Sequence, residues 1–389
     1  MTATWEELTG QDEAVRLLTT AARDARGEPG GNGAMTHAWL ITGPPGSGRS
    51  NLAFAFAAAL LSPAGDPDDA RTTAQVAAGT HPDLSVLATE RVVITIDEVR
   101  SLVTTAQYSP SVARYRVMVI EDADRMSERT SNVLLKALEE PPPRTVWILC
   151  APSEADLLPT IRSRTRSVRL RVPEAHQVAD LLVSRDGVDP AVALRAAEEA
   201  QSHIGMAHRL ATNADAQRRR DETIDLVLGL RSIPQAVRAA ERLLDTAKED
   251  AAAQSEERDE ADRAAAMRSL GVEPGGAVPN QVRGALRALE DDFKRRATRG
   301  MRDSVDRILL DLLSVHRDVL MIQLGAGVPL VNRTRSQALH ALAGAGDPAA
   351  TLAVLDAIAD ARRRLPANVA PLLALEAMLV STVLHRAAA

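Results

Sequence analysis

Cysteine and aromatic residues are scarce in this sequence. Of its 389 residues, one is cysteine and only 2% are phenylalanine, tryptophan or tyrosine. The single Cys150 excludes an internal disulfide bond and a structural zinc site built from several cysteines. Because Cys150 ends the apolar run VWILC, we expect a buried thiol without redox chemistry. The few aromatic rings leave no stacking platform for nucleic-acid bases.

Long apolar runs and an excess of positive charge are also missing. No segment reaches the roughly 18 apolar residues of a membrane span, and the start MTATWEELTGQDEAV has no basic region followed by an apolar one. We therefore expect a cytoplasmic protein without a membrane partner. The formal net charge of −6 argues against coating nucleic acid by bulk electrostatics. The length allows two or three globular domains.

A strand, a glycine-rich loop and a helix follow one another near the N-terminus. Apolar residues 38–42 lead into GPPGSGRS at 43–50, and an alanine-rich helix is predicted over 52–61. The glycines let backbone N–H groups approach phosphate oxygens, and the helix N-terminus adds partial positive charge. The P-loop motif has lysine where this loop has the bulkier, planar Arg49. The candidate nucleotide-binding residues are Gly43, Pro45, Gly46, Ser47, Gly48, Arg49 and Ser50.

Arg49 leaves two interpretations of this loop open. In the first, the P-loop is kept as a scaffold that does not turn nucleotide over; in the second, it is a working site. A buried strand predicted at 117–120 is compatible with both interpretations. It ends at Glu121 and Asp122, where a parallel strand of a nucleotide-binding sheet delivers carboxylates toward Mg²⁺. Glu121 and Asp122 therefore join the candidate site.

Other elements are predicted from periodicity and breakers. Further strands are expected at 84–87, 92–96, 145–150 and 168–170. Helices are expected at 11–25, 128–140, 154–161, 281–323, 333–343, 348–364 and 368–387, and from the N-cap Asp97 to Tyr108. Residues 62–83 are expected to form a solvated loop.

The segments LLKALEEPPP at 134–143 and TIRSRT at 160–165 resemble the core of bacterial clamp-loader subunits of the AAA+ class. The whole chain resembles their delta-prime family, from the DNA polymerase III holoenzyme. In that family a Ser-Arg-Cys motif carries an arginine finger aimed at ATP bound by a neighbouring subunit. Here Ser163-Arg164-Thr165 keeps the arginine and changes the third residue. The resemblance implies that Arg164 acts catalytically in trans.

Other positions depart from the active members of the family. They carry Asp-Glu where this chain has Glu121-Asp122, and a polar sensor residue where Ala151 and Pro152 stand. A carboxylate misplaced by roughly 1 Å can cost ~100-fold in rate. Relatives often hold a four-cysteine zinc module where residues 62–83 have no cysteine, so we expect no zinc. The resemblance implies bound ATP or ADP with Mg²⁺, without turnover, and no activity of the chain alone.

The resemblance also implies a domain order. An α/β P-loop (AAA+) domain with a parallel sheet is expected over 1–171, a small helical lid over 172–213 and an all-α collar for oligomerisation over 214–389. Within the collar, the hydrophilic residues 247–280 are predicted to form a partly mobile helical insertion outside the core. His208, or the adjoining Arg209, aligns with the lid residue that contacts the γ-phosphate in active members.

The function that the resemblance implies is assistance in the ATP-driven loading of a sliding clamp onto primed DNA during replication. The implied partners are the gamma/tau and delta subunits of a hetero-oligomeric clamp loader, the clamp, and DNA through the complex. Two alternatives remain. An active gamma/tau-type ATPase is permitted by the intact glycines and Ser50. A P-loop adaptor outside replication would need neither an arginine finger nor a collar.

Overall fold

The computed structural model describes residues 8–27, 33–63, 69–88, 93–269, 283–365 and 369–388, together with positions 5 and 367. The chain divides into two compact units, Met1–Thr212 and Asn213–Ala389. Among the described residues, no single helix is long and apolar enough to cross a membrane. One pair of helices joined by a bend, Arg333–Gly344 with Pro348–Arg364, has the required length and apolar composition together, and nothing else indicates a span there.

Five parallel strands form the centre of the first unit. Their order across the sheet is β2-β3-β4-β1-β5. The strands are β1 Ala38–Thr42, β2 Leu84–Leu87, β3 Arg116–Ile120, β4 Thr145–Ala151 and β5 Arg166–Arg169. Every residue of β1, β3 and β4 is buried, because helices cover both faces of the sheet. Trp39 and Ile41 pack into one core, while Leu40 packs into the other.

Nine described α-helices belong to this unit. They are α1 Asp12–Arg26, α2 Arg49–Leu61, α3 Ala70–Ala77, α4 Ile96–Ala106, α5 Glu128–Glu139, α6 Pro159–Arg162, α7 Ala175–Asp186, α8 Pro190–Glu199 and α9 Ile204–Thr212. Helices α1, α2 and α3 contribute to the core with Trp39, and α4, α5 and α6 to the core with Leu40. Helices α7, α8 and α9 enclose a smaller core of their own.

The second unit is helical throughout its described part. Its helices are α10 Ala214–Leu228, α11 Ile233–Ser269, α12 Arg283–Gln323, α13 Ser336–Gly344, α14 Pro348–Arg364 and α15 Pro371–Ala388. The larger core cluster joins α11, α12, α14 and α15. A smaller cluster places α13 against α10 and α12.

The predicted fold class is confirmed, since a P-loop α/β unit with a parallel sheet is followed by helices. The strands predicted at 38–42 and 84–87 and the helix at 348–364 have the observed bounds. The strand predicted at 92–96 is wrong: Ile94 makes a single bridge to Met126. Its first residue lies outside the described residues.

Asp97 was wrongly predicted as the N-cap of α4. Thr95 is the N-cap, and its side chain accepts from the Glu98 N–H while the Glu98 carboxylate accepts from Thr95. This reciprocal pair starts the helix two residues earlier and ends the preceding extended run. The loop predicted at 62–83 contains α3, which begins because the Asp69 carboxylate accepts from the Thr72 N–H at 2.7 Å.

The insertion predicted at 247–280 is helical in its described part, but two of its first residues are buried, which the prediction did not include. Helix α11 continues to Ser269, and Ala247 and Ala251 are buried on its core side. Small residues at helical spacing let this stretch pack despite its many charges. Residues 270–282 lie outside the described part of the chain.

A buried carboxylate ties the segment before β3 to the start of β2. Asp83 is fully buried and accepts from the N–H groups of Ser111, Val112 and Ala113 at 2.6, 2.7 and 2.8 Å, and from Arg116 at 3.1 Å. Burial raises the pKa of this carboxyl, but the N–H donors, Ala113 foremost, outweigh burial and hold the pKa below its usual value.

The substitution Asp83→Asn should lower the free energy of unfolding by about 2–4 kcal/mol at pH 7, because it leaves Arg116 buried without its counter-charge. The folded-state pKa is depressed, so the stabilisation by Asp83 is present above about pH 4 and is lost as pH falls through the folded pKa. Denaturant titrations at several pH values should show this loss in the wild type and not in the variant. Asp97→Asn, at an exposed carboxylate, is the control; equal effects of the two substitutions would contradict the assignment.

Candidate functional site

The glycine-rich loop at residues 43–50 joins the end of β1 to the start of α2. Gly46 and Gly48 have φ angles of +79° and +90°, a left-handed conformation that favours glycine. Helix α2 begins at Arg49, and the N–H groups of its first turn have no acceptor within the helix. These donors and the partial positive charge of the helix N-terminus make this loop suited to an anion.

Ser50 and Glu121 meet at the edge of the sheet where β3 ends. The Ser50 Oγ donates to the Glu121 Oε2 at 2.5 Å. P-loop proteins hold Mg²⁺ with this kind of hydroxyl and carboxylate. Asp122, which has a φ of +50°, pairs with Arg125 at 3.4 Å. Of the two predicted carboxylates, Glu121 is therefore the one in contact with the loop serine.

Several buried polar atoms around this edge have no hydrogen-bond partner among the described residues. They are Thr42 Oγ1, Ser47 Oγ, Arg49 Nη1 and Asp124 Oδ1. Burial, with the neighbouring negative Asp122, raises the pKa of Asp124, and the positive Arg49 opposes this. Unpaired buried polar groups are rare in folded proteins and call for a ligand or water. The loop, Ser50 and Glu121 thus fit the phosphates of a nucleotide with its Mg²⁺.

A cavity of about 580 Å³ lies between the loop and the helices α7 and α9. It is lined by residues of the loop and α2 and by residues near the ends of α7 and α9, namely Gly46, Gly48, Arg49, Ser50, Asn51, Arg185, Asp186, His203, Ile204, Gly205 and His208. Four of the predicted loop residues therefore line it. Gly43, Pro45 and Ser47 support the loop instead, and Pro45 is exposed.

His203 lies directly against the loop. A Cβ placed on Gly46 would be 2.3 Å from the Cγ of the His203 ring. The adjacent Ile204 N–H donates to the Gly46 carbonyl at 3.4 Å, and the His203 Nδ1 accepts from the Met206 N–H at 3.2 Å, inside α9. The start of α9 is thus packed on the phosphate-binding loop, and nothing larger than glycine fits between them.

Two basic side chains that face the cavity are joined by a carboxylate. Asp186 accepts from Arg185 Nε and Nη2 at 2.9 and 2.8 Å, and its Oδ2 lies 2.8 Å from His208 Nδ1. The Arg185 bond, ahead of the His208 bond, holds the pKa of Asp186 below its usual value. His208 lines the cavity, and its alignment with a residue that contacts the γ-phosphate stays a prediction. Arg185, Asp186 and His203 were missed because no motif marks them.

The end of β4 contributes no polar side chain to this edge. Ala151 is opposite Thr42 in the register, and its carbonyl accepts from the Gly43 N–H at 3.3 Å. Cys150 is buried, as predicted, and burial raises the pKa of its thiol, so the thiol stays protonated. The described residues contain no group of three or more His, Cys, Asp or Glu placed to hold a metal ion. The expectation of no zinc stays a prediction.

Arg164 lies away from the cavity, one residue beyond the C-cap of α6. Its guanidinium donates to the Thr160 carbonyl at 2.8 Å and the Ser163 Oγ at 3.1 Å. It also pairs with Glu139, at the end of α5, at 2.5 Å, and the arginine side chain is 34% exposed. Ile161, buried in the core, anchors α6. Arg164 is therefore a partly exposed positive charge whose backbone is held in place by α6.

Comparison with known proteins supports the resemblance. Residues 20–174 match the family model described as DNA polymerase III, delta subunit. The DNA polymerase III subunit delta' of Pseudomonas aeruginosa is 33% identical over 210 residues, which cover 52% of this chain and 63% of that protein. The delta' subunit of Bacillus subtilis is 25% identical over 230 residues, 58% and 67% of the two chains.

A motor-type relative matches as well. The DNA polymerase III subunit tau/gamma of Haemophilus influenzae is 27% identical over 238 residues, 58% of this chain and 33% of that protein. The chain thus spans less than two thirds of the P. aeruginosa protein and a third of the H. influenzae protein. The similarity to delta' subunits that the motifs indicated is confirmed.

The substitution Gly46→Ala should separate α9 from the loop, because the added methyl group would overlap the His203 ring. Gly79→Ala is a matched control: Gly79 also has a positive φ, +67°, but no atom lies within 4 Å of its added Cβ. Both variants carry ~1–2 kcal/mol of backbone strain. Only Gly46→Ala should accelerate amide hydrogen exchange in α9, and adding His203→Ala should slow it again. Unchanged exchange in Gly46→Ala would refute the contact.

Proposed function

We propose that this chain, whose residues 20–174 have the sequence pattern of the DNA polymerase III delta family, is a delta'-like subunit of a bacterial clamp loader. In this proposal it works in the cytoplasm beside gamma/tau and delta subunits and assists the ATP-driven loading of the sliding clamp onto primed DNA. Residues 1–171 serve as the AAA+ domain, 172–213 as the lid and 214–389 as the collar. Co-purification with those subunits tests the proposal, and its absence would favour an adaptor outside replication.

One observation carries this proposal: the loop keeps the glycines and the serine of a P-loop, while the other side chains at the site are not those of a motor. Arg49 replaces the compact lysine, and its Nη1 is buried without a hydrogen bond among the described residues. The Ser50 hydroxyl is bonded to Glu121, and Ala151 offers no polar side chain. A bound nucleotide with Mg²⁺ would supply anionic oxygens for the loop and a cation for Ser50 and Glu121. Hydrolysis would need a water-polarising group that these residues do not provide.

The purified chain should release no phosphate from ATP above background, because the bulky, planar Arg49 replaces the compact lysine of the loop and Ala151 has no polar side chain to hydrogen-bond the γ-phosphate or a water. It should still bind ATP or ADP in equilibrium dialysis, since the loop binds through backbone N–H groups. A gamma/tau motor measured in parallel is the positive control. Turnover comparable to that motor would identify an active ATPase, the alternative that the intact glycines permit.

We also propose that Arg164 acts in trans, as an arginine finger on ATP bound by a neighbouring subunit. This role rests on its position outside the cavity of its own chain. A positioned guanidinium from a neighbouring subunit can be worth ~10³–10⁵ in the rate of phosphoryl transfer. Such a residue has to be accessible to the neighbouring subunit, and its side chain has to be held in a defined position. The backbone and side-chain bonds to Thr160, Ser163 and Glu139 support the second condition, and the exposed third of the side chain supports the first.

Arg164→Ala, assembled with wild-type partners, should leave the complex intact and lower single-turnover ATP hydrolysis at the neighbouring site by about 10³-fold. Arg162→Ala, at the exposed last residue of α6, removes the same charge two positions away and is the matched control. It should hydrolyse ATP at the wild-type rate. Normal clamp- and DNA-stimulated hydrolysis by the Arg164→Ala complex would refute the assignment.

A further inference from the structure

The second unit contains a cavity of about 410 Å³ that the proposed function does not use. It lies among α12, α13, α14 and α15 and the turn that follows α10. Its walls are mainly apolar and include Leu228, Val319, Ala338, Leu342, Val354 and Val383. This volume falls within the roughly 300–1,000 Å³ of small-molecule sites, which are apolar with a few polar groups that fix orientation.

The polar lining of this cavity is basic. Arg231, His316 and Arg386 contribute to it beside Thr351, and no Asp or Glu of the described residues does. Arg386 donates to the Val227 carbonyl at 3.1 Å and to His316 Nε2 at 2.9 Å. Arg231 donates through Nη1 to the Leu228 and Leu230 carbonyls, at 2.8 and 2.9 Å. Within the described part of the chain, neither guanidinium forms an ion pair with a carboxylate.

His316 does not add to this charge. It is 2% exposed, and its Nδ1 lies 2.9 Å from the Leu312 carbonyl. Burial, with Arg386 beside it, lowers the pKa of His316 to about 4. The ring is therefore neutral at pH 7, so Nδ1–H donates to Leu312 and Nε2 accepts from Arg386. The imidazole orients Arg386 without neutralising it.

Arg386 and Arg231 are close enough to repel each other. Burial, followed by the charge of Arg231, lowers the pKa of Arg386 to about 10, so the guanidinium stays charged at pH 7. Arg386 is half-buried and Arg231 is exposed, and an anion between the two guanidinium groups would offset their repulsion.

The bonds that both arginines make explain only part of their placement. They satisfy carbonyls at the C-terminal end of α10, where positive charge is favourable. A guanidinium has five N–H donors. Arg231 uses one of its nitrogen atoms in these bonds and Arg386 uses two. The remaining donors are suited to the two oxygens of a carboxylate, which guanidinium groups bind in bidentate fashion.

We propose that this cavity of the second unit binds a small carboxylate with an apolar body, such as a medium-chain fatty acid. The carboxylate lies at Arg231 and Arg386, and the hydrocarbon lies against Val319, Val354 and Val383. The apolar walls supply the affinity for the chain, and the two guanidiniums select an anion over a neutral or cationic head group.

The test is titration of the full chain with sodium decanoate below its micelle concentration, followed by calorimetry. One molecule should bind per chain. Arg231→Gln should weaken binding by about 10-fold or more, as expected for the loss of a charge-assisted hydrogen bond. Ala338→Trp, at an exposed residue of the cavity wall, should abolish binding by filling the space. Arg364→Gln, an exposed arginine outside the cavity, is the matched charge control and should bind as the wild type does.

Two further ligands test the contribution of the carboxylate and that of the hydrocarbon separately. Acetate has the head group alone and decan-1-ol the apolar body alone, and each should bind at least about 10-fold more weakly than decanoate. Thermal unfolding of each variant shows that it is folded. Absence of saturable decanoate binding, equal affinity for decan-1-ol, or equal affinity in Arg231→Gln would overturn the proposal. So would binding of an apolar hexapeptide with a free C-terminal carboxylate in place of decanoate, which would assign the cavity to a protein partner.

Discussion

The parallel pairing of three fully buried strands is the constraint on which the first unit depends. Strand β1 lies between β4 and β5, and β4 joins it to β3. A slip of one residue would move Trp39 and Leu40 to the opposite cores, so burial on both faces determines the register. With Thr42 opposite Ala151, the loop after β1, Glu121 after β3 and the apolar end of β4 meet at one edge.

The same edge is closed by a later part of the chain. His203 packs on Gly46, and Asp186 holds Arg185 and His208 along the cavity wall. The phosphate-binding loop is therefore buttressed by helices as well as by the sheet. Such packing gives the loop a structural task that does not require hydrolysis.

Buried carboxyl groups order irregular segments in both units. Asp83 gathers three N–H groups before β3, and Asp318, also fully buried, accepts from the N–H groups of Val331 and Asn332 after α12. In each case one side chain replaces the hydrogen bonds that a helix or strand would supply. The cavity with Arg231 and Arg386 is the opposite arrangement, because its cations have no carboxylate among the described residues.

The local elements of the first unit were determined by the sequence itself. Continuous apolar runs predicted β1 and β2, and glycine spacing predicted the loop, because these signals act between near neighbours. Tertiary structure alone decided that Glu121, rather than Asp122, contacts Ser50 across 71 positions. It also placed His203 on Gly46 and gathered Arg231 and Arg386 at one cavity. Contacts of this kind depend on how packed elements are oriented, and a sequence pattern records which residues are buried but not which distant groups then meet.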